Sequence, residues 1–202
     1  MKKLIVTLGI FLSFMNLVFA KYTMEIKGGL SLSDKYVIGA ENFNGKLTYN
    51  LATELMYETS PETEIGIGIS YKANSSTKGT FYGGNANSSM HLFNSIPIYG
   101  VAKYILPEVG MFTPYVKGYL GMSWNQIGSY EYAESITPGL HTGLGFGGTY
   151  GNVVADFSYV ITQGELTFWH DNSGTFVKEK RDVKLTSITL TVGYKFEVTF
   201  LN

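Results

Sequence analysis

Beyond residue 20, apolar and polar residues alternate with a period of two along most of the chain. The pattern is clearest near the C-terminus. There Ile188, Leu190, Val192, Tyr194, Phe196, Val198 and Phe200 alternate with Ser187, Thr189, Thr191, Gly193, Lys195, Glu197 and Thr199. Successive side chains of a strand point to opposite faces, so this segment is predicted to be a strand with one apolar and one polar face. A helix would spread the same charges around its whole surface. Residues 46–58 repeat the pattern, with Leu47, Tyr49, Leu51, Leu55 and Tyr57 against Lys46, Thr48, Asn50, Glu54 and Glu58. Lower-contrast versions start near Met24, Ile65, Phe93, Thr113, Leu140 and Ala155, which makes eight predicted strands in all.

The links between these strands alternate in length. Short links at 59–63, 106–112 and 151–152 exchange with long polar ones at 33–45, 74–90, 125–139 and 167–182. Three short and four long links join an even-stranded meander with both ends on the short-turn side, as a membrane barrel with brief inner turns and longer outer loops requires. The fold class predicted is therefore all-β, an eight-stranded antiparallel up-and-down transmembrane β-barrel spanning residues 21–202. Composition agrees with this: 24 Gly, 15 Tyr and 13 Phe against 5 Pro favour strands over helices.

The segment ahead of the barrel reads differently. Lys2 and Lys3 precede an apolar run over residues 4–18, with Val18 and Ala20 at the small-residue positions before Lys21. This is the pattern of a secretory signal peptide, so residues 1–20 are expected to be cleaved and the rest exported. The chain has no Cys, which excludes a lipoprotein anchor and structural disulfides. A formal charge of −1 with no basic block argues against nucleic acid as a partner.

Alternation alone does not say which face meets lipid, because soluble lipocalin-like barrels alternate too. Bulk decides it. If the apolar face turned inward, Tyr49, Met122, Trp124, Phe146, Phe157, Tyr159, Tyr194 and Phe196 would have to fit one narrow lumen. Turned outward, they form a lipid-facing band with aromatics near its edges. The inward face then carries Glu25, Lys27, Glu54, Lys72, Lys103, Lys117, His141, Asp156, Lys195 and Glu197. In a lumen only wide enough for side chains, these are expected to form a paired polar network, with Glu54 meeting Lys103 or Lys117.

The last strand resembles the β-signal of outer-membrane proteins in Gly193, Tyr194, Phe196, Val198 and Phe200, with Leu201 and Asn202 following the final aromatic residue. That resemblance implies recognition by the barrel-assembly machinery. More broadly, residues 21–202 resemble the small outer-membrane barrel families typified by the OmpA membrane domain and OmpX. The segments 96–104 and 113–121 are similar to the fourth and fifth strands of such barrels. These families share a scaffold while their roles differ, so the resemblance implies a Gram-negative outer-membrane location and no particular activity.

The sequence offers little catalytic chemistry. Trp169-His170-Asp171-Asn172-Ser173 gathers residue types that lipid-modifying enzymes use, but a triad needs mutual geometry, and these are also ordinary turn residues. His91 and His141 lie on separate strands without a metal-ligand spacing, and no cofactor is implied. The reading is a non-enzymatic barrel with a filled lumen, seated in outer-membrane lipids. Its long loops, including Tyr130, Glu131, Tyr132 and Glu134, are available to a protein partner outside the cell. The alternatives are a narrow pore for small solutes and an enzyme acting on outer-leaflet lipid.

Overall fold

A computed structural model describes residues 21–39, 41–45, 47–73, 76–78, 89–91, 93–127, 133–172 and 175–198. The proposed signal peptide over residues 1–20 lies outside them. Eight strands close a ring: β1 (Tyr22–Ile38), β2 (Thr48–Ser60), β3 (Thr63–Ala73), β4 (Phe93–Ile105), β5 (Phe112–Ile127), β6 (Gly139–Tyr150), β7 (Val153–Asn172) and β8 (Thr175–Val198). Each pairs antiparallel with the next, and β8 returns to pair with β1 from Tyr22↔Val198 to Ile38↔Val183. Closure satisfies every strand edge in the hydrocarbon region, where an orphaned backbone group would cost several kcal/mol. The ladder between β3 and β4 records no pairs opposite Pro97, which has no N–H to donate; the register on either side is the same.

The face that alternation assigns to lipid is exposed. Leu51 is 58% exposed, Ile67 65% and Leu190 44%, whereas Glu25, Lys27 and Glu54 are at most 2% exposed. A soluble protein would invert this. The exposed band includes neighbouring aromatics, such as Tyr22 with Tyr57, Phe146 with Phe157 and Tyr194 with Phe196, with ring centroids 4.8–5.6 Å apart.

The structure corrects the outer part of the sequence reading. The link expected at 167–182 is not an open loop but a two-stranded ribbon, in which β7 and β8 stay paired out to Asn172↔Thr175. Likewise β1 runs through most of the first expected loop and then pairs with the short strand Glu41–Gly45, and Ala133–Ile136 pairs with β7. These segments lack the apolar-out alternation because they stand clear of the lipid. The ladder continues without it.

A register shift between Ser31 and Ser33 explains a second difference. The bulge puts Leu32 and Ser33 both on the exposed side, so that Asp34, Tyr36 and Ile38 turn inward where strict alternation would turn them out. Tyr36 and Ile38 join Ile136, Leu166, Phe168, Val183 and Leu185 in a buried apolar cluster. This roof closes the long-loop end of the lumen. It was invisible to a rule that treats the whole inward face as polar.

Candidate functional site: the barrel lumen

The centre of the lumen holds three ammonium groups and three carboxylates. Lys27 lies 3.1 Å from Glu25, 2.5 Å from Glu54 and 3.0 Å from Asp156. Lys103 reaches Glu25 at 2.5 Å, and Lys117 reaches Asp156 at 2.8 Å and Glu54 at 3.7 Å. All six are buried and their formal charges cancel. Phenols satisfy remaining lone pairs: Tyr99 donates to Glu54 at 3.0 Å, and Tyr115 donates to Asp156. Thr191 adds a hydroxyl to Asp156 at 3.3 Å. A buried charge is tolerated only when it is paired and hydrogen-bonded in this way.

The register shows why the strands alone do not explain the cluster. Glu25 stands directly opposite Glu54 on the neighbouring strand, and Lys103 directly opposite Lys117. Like charges so placed repel. The acidic pair on β1 and β2 is neutralised by the basic pair on β4 and β5 reaching over from the far wall, with Lys27 between Glu25, Glu54 and Asp156. A similar exchange occurs nearer the short-turn mouth. Lys195 is laddered beside Glu25, and Lys103 beside Glu64, yet Lys195 pairs with Glu64 at 2.6 Å and Lys103 with Glu25. These two bonds therefore tie walls together rather than neighbouring strands.

Between the cluster and the roof, Lys72 pairs with Asp34 at 2.7 Å and donates to Ser187, while Thr48 donates to the other Asp34 oxygen at 2.8 Å. The His141 ring lies 5.6 Å from both Tyr99 and Tyr119, and its Nδ1 is 2.9 Å from the Thr162 hydroxyl. The cavity left here is about 50 Å³. That is room for a few waters. Below the cluster a wider vestibule of about 240 Å³ opens at the short-turn end, lined by Glu58, Glu64, Lys195 and Glu197 among others.

Several known proteins share this architecture. No protein-family model matches the sequence. An uncharacterized protein of Pasteurella multocida (strain Pm70) is 23% identical over 178 residues, which is 73% of this chain and 74% of that one. Among solved structures, the outer-membrane protein OprG from Pseudomonas aeruginosa aligns with a TM-score of 0.51 at 14% identity, covering 87% of this chain and 96% of its own. The outer-membrane protein AlkL, solved in lipid bilayers, also gives 0.51, at 11% identity over 91% of this chain and 93% of its own. The fold is that of a small outer-membrane β-barrel.

Within this barrel the ten polar residues singled out by alternation are not equivalent. Glu25, Lys27, Glu54, Lys103, Lys117 and Asp156 form the cluster; Lys72 and His141 lie above it, and Lys195 near the mouth. Glu197 does not join them. Its side chain is 75% exposed at the rim and pairs with Lys21 at 3.2 Å, because it stands only one residue short of the end of β8. Of the β-signal positions, Tyr194 and Phe196 face lipid and Gly193 faces Lys27 in the ladder; Phe200 lies outside the described residues, as do Leu201 and Asn202. The backbones of His170 and Asp171 belong to the ribbon, while their side chains and Ser173 are outside the described set. No group of three His, Cys, Asp or Glu residues among the described ones is placed to hold a metal.

One feature of the barrel interior that sequence reasoning missed is a set of cross-strand glycine–tyrosine pairs. Gly68 stands opposite Tyr99, and Gly143 opposite Tyr119. A Cβ added at Gly68 or Gly143 would come within 2.5 Å of the facing ring. The ring lies over the bare glycine backbone and fills the space a second side chain would have taken. The glycine-rich run in β6 carried that signal, legible once the register is known. Gly143→Val is accordingly expected to lower stability by about 1–3 kcal/mol through overpacking against Tyr119. Urea titration of the folded band on heat-modifiable gels checks this, and a loss below about 0.5 kcal/mol would contradict the pairing.

Proposed function

We propose that the protein is a non-enzymatic outer-membrane barrel with a sealed lumen that presents a rigid ribbon to partners outside the cell. The observation that carries this reading is the ribbon itself. Beyond Val183, where the pairing with β1 ends, β7 and β8 continue together as a two-stranded ribbon out to Asn172↔Thr175. Alternate side chains along such a projecting ribbon offer a docking surface and supply its selectivity. The ribbon also carries an exposed Trp169 ring with the Lys178 ammonium 5.7 Å from its centroid, and Lys178 pairs with Glu134 at 2.8 Å. Deleting residues 167–180 is expected to abolish adhesion of barrel-bearing cells to immobilised extracellular proteins without preventing barrel assembly. Equal adhesion with and without the ribbon would refute the role.

The sealed lumen is tested separately. Purified protein in a planar bilayer is expected to show no steady open conductance, because the paired charges and the apolar roof stand across the lumen. Large stable open levels would move the reading to a pore. In the same proposal the chain reaches the outer membrane by export and cleavage, read as a mature N-terminus at Lys21. The assembly machinery would take up the C-terminal strand through Gly193, Tyr194, Phe196 and Val198.

A further inference from the structure

The outward face of the barrel changes character where β7, β8 and β1 leave the apolar band. On β8 the outward series runs Leu190, Ile188, Thr186, Lys184, and on β1 it ends with Lys35 and Val37 beyond the bulge. Thr186 stands directly opposite Lys35, Lys184 opposite Val37, and Gln163 of β7 opposite Lys184. Lys35 and Lys184 are thus diagonal neighbours across one ladder, about 7–8 Å apart at their Cα atoms. Both are exposed, and neither has an ion-pair partner among the described residues. The nearest acidic positions on this face, Glu165 and Asp182, stand opposite each other one ladder step beyond Lys184; Glu165 is paired with Lys180 at 2.8 Å.

Lys35 and Lys184 repel each other, and no carboxylate among the described side chains comes within ion-pair distance of either. Their height is informative. Immediately below them lie Ile188 and an exposed Tyr159, which stand opposite each other, and then Leu190 beside Leu30. The lysines therefore sit at the upper margin of a lipid-facing band that in such barrels is about 25 Å tall. This is the level of the outer-leaflet headgroups.

We propose that Lys35 and Lys184, with Gln163 and Thr186 beside them, form a clamp for the phosphate of an outer-leaflet lipid whose acyl chains lie along Tyr159, Ile188 and Leu190. Charge complementarity identifies the occupant. An ammonium pair with amide and hydroxyl donors suits a phosphate's several acceptor oxygens, and the apolar strip directly below suits acyl chains. A zwitterionic headgroup would bring its own ammonium into the same patch and gain less.

The inference rests on the membrane-barrel reading, and its test separates the two. Protein refolded in detergent micelles is to be examined by native mass spectrometry with bis-phosphorylated lipid A, with the same lipid after removal of its phosphates, and with inorganic phosphate alone. Wild-type protein is expected to retain the phosphorylated lipid preferentially. K35Q/K184Q is expected to weaken that retention about fivefold to thirtyfold, taking each lysine near the surface as worth about one fivefold step. It should still migrate as a heat-modifiable barrel, and K21Q, at the opposite rim, should bind as wild type. Equal retention by K35Q/K184Q, or equal binding of both lipids by wild type, would overturn the clamp while leaving the barrel intact. Comparable capture of inorganic phosphate alone would overturn the lipid as its source. A chain that is freely soluble and monomeric without detergent would instead overturn the membrane reading.

Discussion

Lys27→Met is expected to lower the stability of the barrel by about 3–5 kcal/mol, the range for stripping one partner from a buried ion pair. The substitution keeps the bulk of the side chain and removes its charge. Glu25, Glu54 and Asp156 are then left with only Lys103 and Lys117, and one carboxylate stays buried without compensation. Adding Glu54→Leu restores charge balance, so the double variant is expected to lose less than the sum of the single losses, with a coupling of at least about 1 kcal/mol. Urea unfolding of barrels in lipid vesicles, followed by tryptophan fluorescence, measures both quantities. Strict additivity would mean that the cluster does not act as a unit.

The second large effect is expected at the other end of the lumen. Phe168 is fully buried in the apolar roof, with the Arg181 guanidinium 5.8 Å from its ring centroid. Phe168→Ala removes most of that ring and leaves a cavity, a change worth about 3–5 kcal/mol in a packed core. The loss should stay local, because the roof stands above the lipid band and the belt below has its own closed ladder. Amide exchange at Leu166, Val183 and Leu185 is therefore expected to accelerate strongly, while exchange at Gly145 and Ser158 stays at its wild-type rate. Uniform acceleration along β7 would show that roof and belt unfold together.

These two regions differ in how far the sequence disclosed them. Within the lipid band, alternation separates Leu51, Ile67 and Leu190 from Glu25, Lys27 and Glu54, because hydrocarbon on one side and a narrow polar lumen on the other impose opposite demands on successive residues. Above the band that contrast disappears. Strands there are held by the ladder and by the roof, so residues 167–182 read as a polar loop although they pair throughout the described part. The inward turn of Tyr36 depends on a single extra residue at Leu32–Ser33, which a periodic rule steps over.

Partner choice in the lumen was legible only in part. Sign and height along the strands pointed Glu54 toward Lys103 and Lys117, and these lie at 4.0 Å and 3.7 Å. The closest cation, at 2.5 Å, is Lys27 from the adjacent strand. Two carboxylates facing each other across one ladder look unfavourable in a flat sheet. They make sense only once curvature brings the far wall within reach, and a list of strands contains no curvature.

The seam between the first and last strands has a consequence for biogenesis. Glu25 and Lys27 come from the earliest strand, Asp156 from the next to last, and β8 alone joins the two edges. An incomplete sheet in the bilayer would hold these ions next to acyl chains, with Lys27 denied Asp156. Half-inserted species are thereby disfavoured as resting points, and the charges act as a proofreading device that makes entry into the membrane nearly all-or-none.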